Sequence, residues 1–295
     1  MARHQYKYRK PPRRRIRFSR IFIALALVAA LAYPFWEASR LTVDERTVRI
    51  PGLHANLRNI KVAFVSDIHY GPFFSEARIH ELINRINTLS ADIVILGGDY
   101  ATNASDAITF FKIAPSIQAR LGVFGVVGDT DRDESGGNVS QLIAEMKNYG
   151  CLPLTNNVAS IKVGQTNLYV AGVDDYYLGS PDIASVASQV GRDDFVILVA
   201  HTPDILPQAF AAKGKGGDTH WFDLALFGHT HGGQVTVLGR SLMPGRTPLV
   251  AKRYLTGLWE ENRASILVSN GVGVSDLPIR LFAPPQIHLL TLKSL

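Results

Sequence analysis

The stretch Lys61-Val62-Ala63-Phe64-Val65-Ser66-Asp67-Ile68-His69 decides how the rest of the chain is read. Four consecutive apolar residues form a run that suits a strand covered on both faces, and Asp67 and His69 follow it directly. The construction recurs. Asp92-Ile93-Val94-Ile95-Leu96 leads to Gly98-Asp99, and Val123-Phe124-Gly125-Val126-Val127 leads to Gly128-Asp129-Thr130-Asp131. Phe195-Val196-Ile197-Leu198-Val199 leads to His201, and Leu224-Ala225-Leu226-Phe227 leads to Gly228-His229-Thr230-His231. In an open α/β sheet the ligand crevice lies outside the carboxyl ends of the strands, so these residues gather on one rim.

Helical patterns over residues 76–89, 105–120 and 138–149 separate the early strands, and a further strand fits 168–172. Short apolar strands alternating with amphipathic helices predict an α/β domain with a largely parallel sheet covered on both faces. Toward the C-terminus, residues 234–237, 265–268 and 287–292 are strand-like with little helix between them, which predicts a second, more antiparallel sheet. Residues 37–58 read as a connector into this domain at 59–295.

The net charge of +6 belongs to one end of the chain. Nine of the 31 Lys and Arg residues lie within residues 1–20 with no acid among them, which leaves 22 bases against 25 acids elsewhere. The domain is therefore not a basic nucleic-acid binder. Residues 21–36 come directly after the tail and carry no charge. As a helix they span only ~24 Å at ~1.5 Å per residue, against ~30 Å of bilayer hydrocarbon. Arg20 at one end and Tyr33 and Trp36 at the other suit snorkelling and interfacial anchoring. Cations ahead of the apolar run keep the tail in the cytoplasm and translocate residues from about 40 onward, so the domain is expected outside the cytoplasm on a membrane anchor. A cleaved signal peptide, giving a secreted form, competes with the anchor because Ala30-Leu31-Ala32 fits a small-x-small cleavage site. Arg14-Arg15 only weakly resembles a twin-arginine signal. The single cysteine, Cys151, excludes both an intramolecular disulfide and a thiolate metal cluster, and its apolar neighbours make it a packing residue.

Carboxylates and imidazoles without thiolates suit Mn²⁺, Fe or Zn²⁺. A lone Asp after a strand often caps a helix, and a lone His201 is most often structural. Two histidines among glycines in Gly228-His229-Thr230-His231-Gly232-Gly233-Gln234 have no packing role of that kind.

The ordered set D-x-H, G-D, G-N-H-[DE], H and G-H-x-H resembles the calcineurin-like metallophosphoesterase family over most of residues 59–295. Ser66 to His69, Gly228 to Gln234, and Leu277-Pro278-Ile279-Arg280 through Pro284-Pro285-Gln286-Ile287 are similar to its branch of bacterial membrane-associated phosphohydrolases. The resemblance implies a four-layer α/β/β/α sandwich holding two divalent metal ions. It implies that Asp67, His69 and His231 hold one ion, that His201 and His229 hold the second, and that Asp99 bridges them. Ions ~3.5–4 Å apart would share a hydroxide that attacks phosphorus in line, cleaving a phosphodiester or pyrophosphate. Relatives of this kind suggest a lipid-linked substrate, such as a diacylated sugar nucleotide or a phospholipid.

Two positions depart from the pattern. Asp129 stands where the family has a metal-binding Asn, and can coordinate through the same kind of oxygen while blunting the Lewis acidity of the ion. Thr130 stands where the family has the His that protonates the ester, a loss worth ~10²–10⁴-fold. Asp131 would orient neighbouring groups, and His220 could replace the missing acid if its loop folds over the site. An inactive or weakened relative that binds a phosphorylated lipid or a protein partner is the competing expectation. Tyr70, Phe73, Phe74, Tyr176 and Tyr177 either line a groove for an amphipathic substrate or pack as ordinary loop residues.

Overall fold

A computed structural model describes residues 18–132, 138–243 and 248–295. Most of the basic tail, residues 1–17, lies outside the described residues. The first sheet is ordered β1 (Thr42–Ile50), β14 (Gln286–Ser294), β2 (Lys61–Val65), β3 (Ile93–Leu96), β4 (Val123–Gly125) and β5 (Cys151–Pro153). The second is ordered β12 (Gly257–Glu261), β13 (Ala264–Val268), β9 (Leu224–Phe227), β8 (Phe195–Val199), β7 (Thr166–Gly172) and β6 (Asn157–Val163). A small hairpin, β10 (Thr236–Val237) with β11 (Arg240–Ser241), stands apart.

Period-two alternation explains why these strands stack as two sheets. Val62 and Phe64 of β2 point into an apolar layer shared with Ile197 and Val199 of β8 and Leu226 of β9. Ala63 and Val65 point the other way, onto α2 (Glu76–Thr88), α3 (Ala104–Ile113) and α4 (Val139–Tyr149). On the far side, Val196, Leu198 and Phe227 meet α5 (Ile183–Ala187) and α6 (Leu206–Ala211). The layers are thus α/β/β/α, as the resemblance implied.

Several expectations need correction. The C-terminal strands do not form a sheet of their own: β14 enters the first sheet between β1 and β2, and β13 lies parallel to β9 in the second. The antiparallel pairings are β14–β2, β12–β13 and β6–β7, while the centres of both sheets are parallel. The supposed connector contains β1, which pairs with β14 at nine positions from Thr42 to Ile50. Its sequence is too charged to read as a strand because only Val48 and Ile50 are buried on this edge. Helix α3 stops at Ile113 instead of continuing to residue 120, since Pro115 forces Ala114 into extended backbone (ψ 132°). Cys151 is buried in the helix-side core, as expected of a packing residue.

Helix α1 (Phe18–Ser39) has 22 residues, six more than the apolar run suggested. Its segment Arg20–Ser39 has a mean hydropathy of 1.9 and is long and apolar enough to cross a membrane. At ~1.5 Å per residue α1 reaches ~33 Å end to end. Its last turns are docked. The Arg280 N–H donates to the Pro34 carbonyl (3.0 Å), the Ala283 N–H donates to Glu37 Oε1 (2.8 Å), and Arg78 Nη2 donates to the Ala38 carbonyl (3.2 Å).

Because Phe64 is fully buried between the sheets, Phe64→Ala should lower the unfolding free energy by ~3–5 kcal/mol in urea denaturation. Truncating the half-exposed Leu152 should change it by under ~0.5 kcal/mol.

Candidate metal centre

Five strand ends deliver the site. Asp67 and His69 follow β2, Asp99 follows β3, Asp129 follows β4, His201 follows β8, and His229 and His231 follow β9. All seven predicted ligands converge. Asp67, His69 and His231 form one group, and Asp129, His201 and His229 form another, with ligand atoms in each within 4.8 Å of one another. Asp99 Oδ2 lies 3.4 Å from both His69 Nε2 and His201 Nε2, so it stands between the groups. Asp67 also groups with Asp99 and His201. His69 Nε2 and His231 Nε2 are 3.0 Å apart, while His201 Nε2 and His229 Nδ1 lie 3.0 and 3.1 Å from the same Asp129 oxygen.

The backbone is bent to achieve this. Asp67, His69, Asp99, His229 and His231 all have φ between 48° and 68°. Left-handed backbone is uncommon outside glycine and carries strain that the surrounding structure must hold. Glycines beside them leave no room for a side chain. A Cβ on Gly228 would fall 2.4 Å from Asp67 Oδ2, and one on Gly128 would fall 2.2 Å from Asp99 Oδ1.

Buried polar groups ordinarily find partners, yet among the described residues Asp67 Oδ2, Asp99 Oδ2 and His201 Nε2 make no hydrogen bond of good geometry. His201 Nδ1 faces the Gly97 carbonyl at 2.8 Å, which leaves Nε2 to present its lone pair to the cluster. Burial opposes a charge on His201, but Asp99, Asp129 and Asp67 outweigh it and hold its pKa well above the imidazole range. Burial likewise opposes ionisation of Asp129, yet the His201 and His229 rings beside it keep its pKa well below normal. Such a concentration of oxygen and nitrogen lone pairs fits divalent cations.

The neighbouring residues sort into different roles. Among the described residues Asp131 bonds to backbone: Oδ2 accepts from the Asp99 and Gly128 N–H groups (2.8 and 2.9 Å), and Oδ1 accepts from the Tyr100 N–H (2.8 Å). It ties the loop after β3 to the loop after β4. Burial and the charge of Asp99 push its pKa up to about 7, against these backbone donors. Thr130 donates its backbone N–H to Asp99 Oδ1 (3.0 Å) and its hydroxyl to the Ala101 carbonyl (2.7 Å). His220 does not approach the centre. It precedes β9, whereas the site lies beyond the other end of that strand, and it faces Asp223 at 3.6 Å in a cavity bordered by Asn262 and Arg263. It therefore cannot stand in for the missing acid.

The aromatic group splits. Phe74 is core, Phe73 is exposed, and Tyr176 packs against the second helix layer. Tyr177 is half exposed, lies 5.1 Å from His229 ring to ring, and donates its hydroxyl to Asp204. Sequence reasoning missed Arg280, which is fully buried and donates to the carbonyls of His231, Gly273, Asn270 and Ala283. Its segment carried part of the resemblance, but nothing local reveals that it braces His231. It also missed the Arg132–Asp174 ion pair and the buried Asp175, whose pKa is raised by burial. Only the Asp174-Asp175 doublet after an apolar strand could have signalled them.

A calcineurin-like phosphoesterase family model matches residues 60–233. The chain belongs to that family. The chain is 27% identical over 263 residues to the metallophosphoesterase YkuE of Bacillus subtilis, covering 88% of each chain. It is 28% identical to an Aquifex aeolicus metallophosphoesterase, covering 92% of this chain and 98% of that one. It is also 25% identical to a Bos taurus transmembrane protein with a metallophosphoesterase domain, covering 84% of this chain and 56% of that one. The chain is accordingly a metal-dependent phosphoester hydrolase, with a dinuclear arrangement of Asp and His side chains.

Gly228→Ala should push Asp67 aside through the 2.4 Å contact. Calorimetric titration of the folded variant with Mn²⁺ should show affinity weakened by ~10–100-fold, with circular dichroism unchanged.

Proposed function

We propose that this chain is a membrane-anchored phosphohydrolase whose domain works outside the cytoplasm on a phosphodiester or pyrophosphate with a good leaving group. In this reading Asp67, His69 and His231 hold one ion, Asp129, His201 and His229 hold the second, and Asp99 is shared. The observation that carries it is the position of Asp99 Oδ2, 3.4 Å from a histidine of each group. Two divalent ions held by these residues would supply Lewis-acid neutralisation of phosphoryl charge and activation of water.

The protein's own side chains define the rest. Asp131 acts as a positioning residue, holding the Asp99 and Gly128 backbone so that the ligands from β3 and β4 keep their spacing. Gly97 orients the His201 ring through its carbonyl, and Arg280 braces His231 from behind. Thr130 has no proton to give near neutral pH, and its hydroxyl is already committed to Ala101. Departure of the leaving group therefore depends on that group's own stability, which favours aryl esters and pyrophosphates over simple alkyl esters. Tyr177 beside His229 and the exposed Phe73 suit an amphipathic substrate, and the apolar α1 is consistent with one borne by a membrane. The connectivity proposed is a cytoplasmic tail over residues 1–20, an anchor within α1 and a hydrolase domain over 59–295 to which β1 adds an edge strand. Thr130 also supports a second reading, a relative that keeps the ions to bind a phosphorylated lipid or a protein partner.

The test uses the full chain in detergent, loaded with Mn²⁺, on an aryl phosphodiester. Wild type should turn over, Asp67→Ala should lose at least ~100-fold, and Thr130→His should accelerate an alkyl ester by ~10²-fold or more while changing the aryl ester less. An inert wild type that becomes active only as Thr130→His would establish the binding reading instead.

A further inference from the structure

The metal centre uses none of the exposed apolar residues gathered around the β10–β11 hairpin. Leu238 at its turn is 96% exposed, Phe282 is 70% exposed and Leu242 is 63% exposed. Single exposed apolar residues are ordinary, whereas a contiguous set marks a contact surface. Here the backbone makes the set contiguous. The Thr236 N–H donates to the Leu281 carbonyl and the Leu281 N–H donates to the Gln234 carbonyl, both at 2.9 Å, so the segment before Phe282 runs along the base of the hairpin.

The other side of that segment meets α1. Arg280 bonds to Pro34 and Ala283 to Glu37, which places Phe282 between the hairpin and the last turns of the apolar helix, on which Trp36 is exposed. Phe282, Trp259 and Gly239 line a cavity of ≈ 290 Å³ together with Lys252 and Arg253, and the cavity reaches Gly232, the neighbour of His231. Arg253 is paired with Glu261. Arg240 and Lys252 are exposed and border an adjoining hollow.

We propose that this face docks onto the surface of an anionic lipid bilayer, with Leu238 and Phe282 entering the headgroup–acyl boundary and Arg240 and Lys252 meeting lipid phosphates. The proposal rests on α1 lying in the membrane, as the proposed function holds. Two observations favour a bilayer as the partner. The apolar side chains stand at tips flanked by cations, the composition that suits an interface with anionic headgroups. The loop carrying Phe282 is bonded to the end of the helix that would emerge from the hydrocarbon, so Trp36 and Phe282 are held near one level. Docked in this way, the cavity beside Gly232 opens among lipid headgroups, which makes a membrane-borne phosphoester the substrate class for the centre.

The test places single labels on the full chain in lipid nanodiscs. Cys151 is buried and burial raises its thiol pKa, so it stays unlabelled. Leu238→Cys and, separately, Leu27→Cys are coupled to an environment-sensitive fluorophore, in discs of phosphatidylcholine with or without phosphatidylglycerol. The Leu238 label should be quenched by lipids carrying a spin label near the headgroup, more strongly in the anionic discs. Arg240→Glu combined with Lys252→Glu should lower the ratio of docked to undocked protein by ~10-fold or more. A water-exposed Leu238 label beside a Leu27 label quenched at bilayer depth overturns the docking and leaves the anchor standing. A Leu27 label in water overturns the anchor and the docking together. Unchanged quenching in the charge-reversed variant overturns the role given to Arg240 and Lys252.

Discussion

Three carboxylates and four imidazoles face one another within a few ångströms, mostly away from solvent, and the rest of the structure has to sustain that crowd. The charges of Asp99 and Asp129 repel each other, and, against the opposing effect of burial, the carboxylates around His201 raise its pKa. Burying charged groups is costly unless they are paired, and imidazolium is a poor substitute for a divalent ion. Strain adds to this cost, because five of the seven residues sit on left-handed backbone, each worth about 1–3 kcal/mol. Two sheets packed through a dry apolar layer, with helices outside both, provide the rigidity against which such loops can be held. Ion binding relieves the repulsion in the folded chain only, so it stabilises the fold by mass action.

This constraint also explains which parts were legible in the sequence. The candidate ligands are all Asp or His and all follow apolar strands, and Asp99, His229 and His231 have glycines beside them, so Asp67, His69, Asp99, His201, His229 and His231 stand out without any structure. The strands carrying them are buried on both faces and read as continuous apolar runs. β1 does not, because an edge strand with Asp44, Glu45, Arg46 and Arg49 exposes most of its length. The partner of β14 could not be read either, since pairing between residues 42–50 and 286–294 is a tertiary choice with no local signal. His220 shows the opposite failure: a plausible residue type on the correct sheet, but ahead of its strand rather than after it. Arg280 was hidden because the backbone carbonyls that accept from it leave no mark in the sequence.

Asp129 and Thr130 act on the same reaction from opposite ends. Two divalent ions would bring four positive charges against the carboxylates of Asp67, Asp99 and Asp129, whereas an amide at position 129 would leave one more positive charge on the centre. The extra carboxylate, which faces both His201 and His229, would grip a second ion more tightly but weaken its pull on the phosphoryl oxygens. Thr130 removes the proton donor and at the same time strengthens the scaffold, since its hydroxyl and backbone N–H tie the loop after β4 to Ala101 and Asp99. A centre that holds its ions firmly and offers little acid is suited to esters whose leaving groups need no proton. On the proposed reading, pyrophosphates and activated diesters meet that requirement and simple alkyl esters do not, so the pair of substitutions would select by leaving group.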